Sequence, residues 1–265
     1  MTAEILLFDG YVPNDPALKN SHWMAERTRE SLGEVAVTLT YPDAIRENLE
    51  SHLGSSTLLG LTVFGHGDAG QLHTTLRMQY RNEELRAALY TTSNAGAVYG
   101  SDEEPALDLD NLGLLRGRWC HALACSVGLA LPYRAIEAGA SCFVAYESAL
   151  TPEYETDTMP EPLRSLLAAL VTTTTLNLYD GVHDKNLLQA HVKTAILKLE
   201  EWLESDDGIA WCGEDYMQVA GLRGLAQQLW RDMVVSLPDA PMESITASSQ
   251  RSSMDQLDEM DQLED

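Results

Sequence analysis

Two stretches decide the fold: Thr57-Leu-Leu-Gly-Leu-Thr-Val-Phe64, which runs into Gly65-His66-Gly67-Asp68, and Arg118-Trp-Cys-His-Ala-Leu-Ala124, which runs into Cys125-Ser126-Val127-Gly128. Both are short and mostly apolar, and both end on small residues, the pattern of a strand covered on its two faces. Working outward, Glu4-Ile-Leu-Leu-Phe-Asp9 reads as a first buried strand, stopped by Gly10 and Pro13. Residues 34–40 are rich in β-branched side chains and read as a second strand, and residues 141–146 as a fifth. Helical spacing fills the intervals at 21–32, 44–53 and 131–138. Strands alternating with helices imply an α/β fold built on a mainly parallel sheet.

The pattern weakens between residues 81 and 112, where Gly96, Gly100 and Asp102-Glu-Glu104 suggest a long surface excursion. Residues 162–235 read as helical, with breaks expected at Gly181, Gly208 and Gly213 and a stripe of Leu188, Val192, Ala195 and Leu199. The 265 residues therefore divide into one domain, 1–237, and an acidic tail, 238–265, expected to be disordered on its own. In the tail Met254, Leu257, Met260 and Leu263 recur every third residue. It reads either as a solvated extension or as a docking or autoregulatory segment.

The 41 acidic residues outnumber the 17 Lys and Arg, leaving a net charge of −24. That field repels nucleic acid and anionic membranes and favours basic partners or basic substrate side chains. No apolar run is long enough to span a bilayer, and the N-terminus lacks the basic segment of a secretory signal. The four cysteines, Cys120, Cys125, Cys142 and Cys212, read as reduced thiols, which places the chain in the cytoplasm. No Cys or His spacing matches a zinc site, so neither metal nor cofactor is expected.

The chemistry is expected at the two strand ends. In an open parallel sheet, the carboxyl ends of the strands line the ligand crevice. His66 and Cys125 stand at two such ends, an imidazole and a thiol able to form a nucleophilic pair. The backbone N–H groups of Gly67 and Cys125 are the expected oxyanion donors. Cys120 and Cys142 fall inside strands, and Cys212 lies far from any His motif, so these three read as structural. A nucleophile elbow of the α/β-hydrolase kind is a poor fit, because Leu123 and Val127 occupy the positions where it needs glycine.

The segments Val63-Phe-Gly-His66-Gly67, Leu114-Leu-Arg-Gly-Arg-Trp-Cys-His-Ala-Leu-Ala-Cys125 and Ala138-Gly-Ala-Ser-Cys-Phe-Val-Ala145, in this order, resemble the caspase-like cysteine peptidases. The resemblance is closest to their bacterial CHAT branch, which includes relatives of separase. It covers residues 1 to 200, with Asn186-Leu-Leu-Gln-Ala-His-Val-Lys-Thr-Ala-Ile-Leu197 similar to the helix that follows in that branch. It implies a caspase-like sheet flanked by helices, with a helical C-terminal part. It also implies His66 as catalytic histidine, Cys125 as nucleophile, Gly67 as oxyanion donor, and thiol-protease hydrolysis through a thioester. Ser126 and Gly128 match only loosely the acidic or hydroxyl residue and the glycine that the branch carries after its cysteine. The resemblance further implies regulated proteolysis, including bacterial antiviral and cell-death pathways, with a protein substrate and an activating partner or upstream protease. The alternative is a catalytically silent relative acting as a binding module.

In caspase-like folds, the pocket for the residue before the cut lies among the ends of the first strand, the cysteine strand and the next strand. Here Asp9 and Glu147 occupy such ends, and Asp68 lies near His66 in sequence. No Arg does so, so carboxylates facing the substrate would imply cleavage after Arg, or secondarily Lys; the competing reading is that Asp9 merely ends a strand and Glu147 is solvated.

Overall fold

The computed structural model describes residues 4–13, 15, 18–68, 97–100, 102, 105–125, 127–148, 156–214 and 216–238. Its strands are β1 (Glu4–Asp9), β2 (Ala36–Leu39), β3 (Leu58–Gly65), β4 (Gly67–Asp68), β5 (Ala97–Tyr99), β6 (Pro105–Leu107), β7 (Trp119–Ala124), β8 (Cys142–Tyr146) and β9 (Met233–Ser236). The helices among the described residues are α1 (Lys19–Leu32), α2 (Arg46–Leu53), α3 (Leu131–Glu137), α4 (Glu161–Tyr179), α5 (Lys185–Leu203), α6 (Asp206–Glu214) and α7 (Tyr216–Arg231). A six-stranded sheet has the order β2-β1-β3-β7-β8-β9, parallel throughout except for the antiparallel edge strand β9. The α/β class and mainly parallel sheet expected from the sequence are therefore present.

Alternation along each central strand sorts the core into two layers. Ile5 and Leu7 of β1, Trp119 and Leu123 of β7, and Val144 and Tyr146 of β8 join the helical layer that contains α1, α4, α5 and α7. Leu6 and Phe8, Leu61 and Val63, and Ala122 and Ala124 join the opposite layer, with Leu49 and Leu53 of α2 and Leu131 and Ala135 of α3. Phe8, Leu61, Val63 and Phe64 are completely buried, each contributing about 1.5–3 kcal/mol of apolar transfer. Gly60 leaves room for a large neighbour, since a Cβ there would lie 2.1 Å from the Trp119 indole.

Helix ends follow local chemistry. The Asp184 side chain accepts a hydrogen bond from the Leu187 N–H at 2.9 Å and caps α5. Gly181, at φ 82°, closes the turn after α4 in a conformation that favours glycine.

Four expectations need correction. Residues 233–236 form a strand, because a short apolar run pairs with the exposed edge of β8 instead of extending α7. Gly208 and Gly213 lie inside α6, and the chain turns instead just before it, between α5 and α6. Gly208 is needed for proximity: a Cβ there would be 2.1 Å from the Trp202 carbonyl oxygen. The expected second strand starts late, since Gly33–Val35 form a 3-10 turn first. Finally, part of the 81–112 excursion is ordered sheet: β5 and β6 pair antiparallel with each other and with β4, and Val98 and Leu107 are completely buried. Residues 81–96 and the 239–265 part of the tail fall outside the described residues. No helix among the described residues is long and apolar enough to cross a membrane.

Candidate functional site

From β1 the chain passes through α1 to β2 on one side, then through α2 to β3 on the other. The carboxyl ends of β1 and β3 thus flank a topological switch point, where open α/β sheets form their ligand crevice. β3 and β7 are adjacent and in register, with Phe64 opposite Leu123 and Gly65 opposite Ala124. The next residue on each strand is His66 and Cys125, so the two leave the sheet side by side.

Gly67 brings the two strand ends into contact. A Cβ there would lie 2.7 Å from the Cys125 carbonyl oxygen and 2.8 Å from the Ala124 Cβ, so only glycine allows this approach. Gly67 pairs with Val98 of β5, and the Tyr99 N–H donates to the His66 carbonyl at 3.1 Å. In this register Gly67 is the non-hydrogen-bonded member of the ladder, and its own N–H points away from β5. The small sheet also roofs the end of β1, where a Cβ on Gly10 would meet the Tyr99 carbonyl at 2.5 Å.

The His66 imidazole is half-exposed, and its Nε2 donates to Asp15 Oδ2 at 2.7 Å. Asp15 lies on the connection between β1 and α1, where its N–H donates to the Val12 carbonyl and its carbonyl accepts from the Leu18 N–H. Asp9, at the end of β1, is only 2 % exposed. Its carboxylate accepts from the Thr40 hydroxyl and the Tyr11 N–H at 3.3 Å each, and is bonded to His22 Nδ1 on α1. That carboxylate raises the His22 pKa above its ordinary value, against the lowering effect of burial. Tyr11 stacks on the His22 ring with centroids 4.3 Å apart.

Glu147 follows β8, half-buried, with its N–H donating to the Asp232 carbonyl at 3.0 Å. The turn after Cys125 packs against this point: a Cβ on Gly128 would lie 2.9 Å from the Glu147 nitrogen. Asp68 pairs through its backbone with Ala97; its side chain, like Ser126, lies outside the described residues. The site therefore brings His66, Gly67 and Cys125 together, sets Glu147 beside the turn that follows Cys125, and keeps Asp9 inside the fold.

Cys120 and Cys142 are completely buried in β7 and β8. Burial pushes the Cys120 thiol pKa well up and that of Cys142 to about 12, which makes both poor nucleophiles. His121 is also completely buried, bonded through Nδ1 to the Thr175 hydroxyl at 2.9 Å and through Nε2 to the Tyr146 hydroxyl at 3.1 Å. Burial lowers its pKa to about 3, so it stays neutral. His183 precedes α5 and His191 lies within it. Among the described residues no group of three or more His, Cys, Asp or Glu is placed to hold a metal ion. A cleft of about 500 Å³ between α1 and α4, lined by Trp23, Arg27, Arg164 and Thr172, contains none of the candidate residues.

Sequence reasoning missed Asp15 and His22. Asp15 is 51 residues from His66, and only the adjacency of β1 and β3 brings them together. Comparison of the chain with protein-family models, with curated proteins and with solved structures returned no match.

Proposed function

We propose that this chain is a caspase-like cysteine endopeptidase that cleaves protein substrates after a basic residue, Arg in preference to Lys. The observation that carries the reading is the departure of His66 and Cys125 from the paired ends of β3 and β7, joined through the tight Gly67 contact. The position of His66 at the edge of the β1–β3 switch point and the N–H of Gly67 directed away from its ladder support it further. The sheet class is compatible with the caspase-like resemblance of the sequence, which also suggests a cytoplasmic, regulated setting such as bacterial antiviral defence.

In this reading His66 takes the Cys125 proton and the thiolate sulfur attacks the scissile carbonyl carbon. The N–H groups of Gly67 and Cys125 hold the resulting oxyanion. The carbon–nitrogen bond then breaks, and the imidazolium returns its proton to the leaving amine. Water hydrolyses the thioester, releasing the carboxylic acid product and restoring the thiol. Glu147, whose backbone lies beside the turn that follows Cys125, is the carboxylate assigned to a basic substrate side chain, with Asp68 as a second candidate. The Asp9 carboxylate is already occupied by three donors, and its negative charge is neutralised when His22 is protonated.

The test uses the full chain, a Cys125→Ala variant and fluorogenic peptides that differ only in the residue before the cut. Cleavage after Arg that disappears in the variant supports the assignment, and a loss confined to Arg and Lys peptides in Glu147→Gln supports the pocket. Cleavage after other residues sinks the specificity argument. Absence of cleavage, together with a Cys125 alkylation rate no faster than that of an ordinary exposed thiol, favours a silent binding module.

A further inference from the structure

We propose that Asp15 is the positioning residue of the His66–Cys125 pair, and that the β1–α1 connection carrying it is locked at its base by Asp9 and His22. The proposal rests on the peptidase reading above and adds a third group to it.

A carboxylate can only accept, so the 2.7 Å contact requires the proton of the neutral imidazole to sit on Nε2. Nδ1 is then the atom left to take the Cys125 proton. When it does so, the imidazolium sits beside a carboxylate, which favours the thiolate–imidazolium pair. Asp15 therefore both selects the tautomer and lowers the cost of ionising the thiol.

The connection is built to hold that carboxylate in place. Asp9 at its start and His22 just after its end are bonded across it, so the loop is closed by a charge-assisted pair. Tyr11 stacks on the same imidazole, and its hydroxyl donates to the Pro13 carbonyl at 3.4 Å. The Asp15 N–H donates to the Val12 carbonyl and the Leu18 N–H to the Asp15 carbonyl, so the residue's backbone is held through both its N–H and its carbonyl. This gives Asp9 a role that fits its burial: it anchors the loop that aims His66.

The measurement is the pH profile of iodoacetamide alkylation at Cys125, followed by mass spectrometry on the full chain, with Cys212 as an internal reference thiol. The variants are Asp15→Asn, Asp15→Glu and His66→Ala. In the wild type the midpoint should fall below the ordinary thiol value of about 8.5. Asp15→Asn should raise it by about one unit and slow labelling near pH 6.5 about tenfold. Asp15→Glu should recover part of the shift. On the best peptide, Asp15→Asn should reduce kcat about 10- to 100-fold with little change in KM. That is below the ~10⁴-fold loss at a fully buried triad, because solvent reaches this pair.

If His66→Ala shifts the profile and Asp15→Asn does not, the positioning role is overturned while the dyad stands. If neither shifts it, the dyad reading fails with it. Should Asp15→Asn fail to fold, Asp15→Ser read on the same profile decides the matter.

Discussion

His121 in the middle of β7 and His22 against the carboxyl end of β1 both lie on the α1 and α4 side of the sheet, yet the fold treats them in opposite ways. His121 has hydroxyl partners and no charged one, and burial drives it to the neutral form. His22 faces the Asp9 carboxylate at a partly open position and is drawn toward the charged form. Mid-sheet polar groups are matched as neutral hydrogen-bond partners because an ion there would lose its hydration without compensation. At the strand ends a charge is compensated by a partner or by solvent: Asp9 is buried but bonded to His22, and the His66–Asp15 contact is partly exposed. The middle of the sheet is therefore built for stability and its carboxyl end for charge.

The strongest test of this contrast is a pair of mid-sheet substitutions, one on β3 and one on β7. Gly60→Ala drives a methyl group to within 2.1 Å of the buried Trp119 indole and should cost about 3 kcal/mol or more in urea unfolding. His121→Ala should cost about 2–3 kcal/mol, by opening a cavity and removing the imidazole bonds to the buried Thr175 and Tyr146 hydroxyls. An equally stable His121→Ala variant would remove the argument that the mid-sheet network is structural.

The pH dependence sharpens the comparison. His121 binds a proton at about 6.5 when unfolded and only at about 3 when folded, so its contribution falls as pH drops below 6.5. At about pH 5 the loss amounts to about 2 kcal/mol, and His121→Gln should flatten that acid limb. His22 has the reverse sign: its raised pKa gives stability that is full below 6.5 and lost as pH rises through the folded value. In His22→Gln the alkaline side of the urea-midpoint profile should flatten while the acid side persists. Both limbs surviving in both variants would break the contrast.

The smallest expected effect on stability is at His66, which is half-exposed and makes a solvent-screened pair. His66→Ala should move the unfolding free energy by less than about 0.5 kcal/mol, read in the same urea titration, while eliminating the proposed cleavage. A loss of several kcal/mol would make His66 a structural residue.

The central strands β1, β3, β7 and β8 were legible in the sequence because burial on both faces leaves near-continuous apolar runs. β5, β6 and β9 were not: β5 and β6 have only three residues each, and the four of β9 follow directly on the helical pattern of α7. The break at Gly208 was misplaced for a related reason. A glycine can serve close packing within a helix as readily as it ends one, and only the neighbouring Trp202 carbonyl tells the two apart.

By itself the sequence determined the α/β class, the boundaries of the core strands and the positions of His66 and Cys125 at two strand ends, because these depend on local patterning. Tertiary structure alone decided that those two ends are adjacent and in register, that Asp9 is spent on His22 and Thr40, and that Asp15 meets His66. Such pairings are set by the order of strands in the sheet, and neighbours across a parallel sheet lie tens of residues apart along the chain.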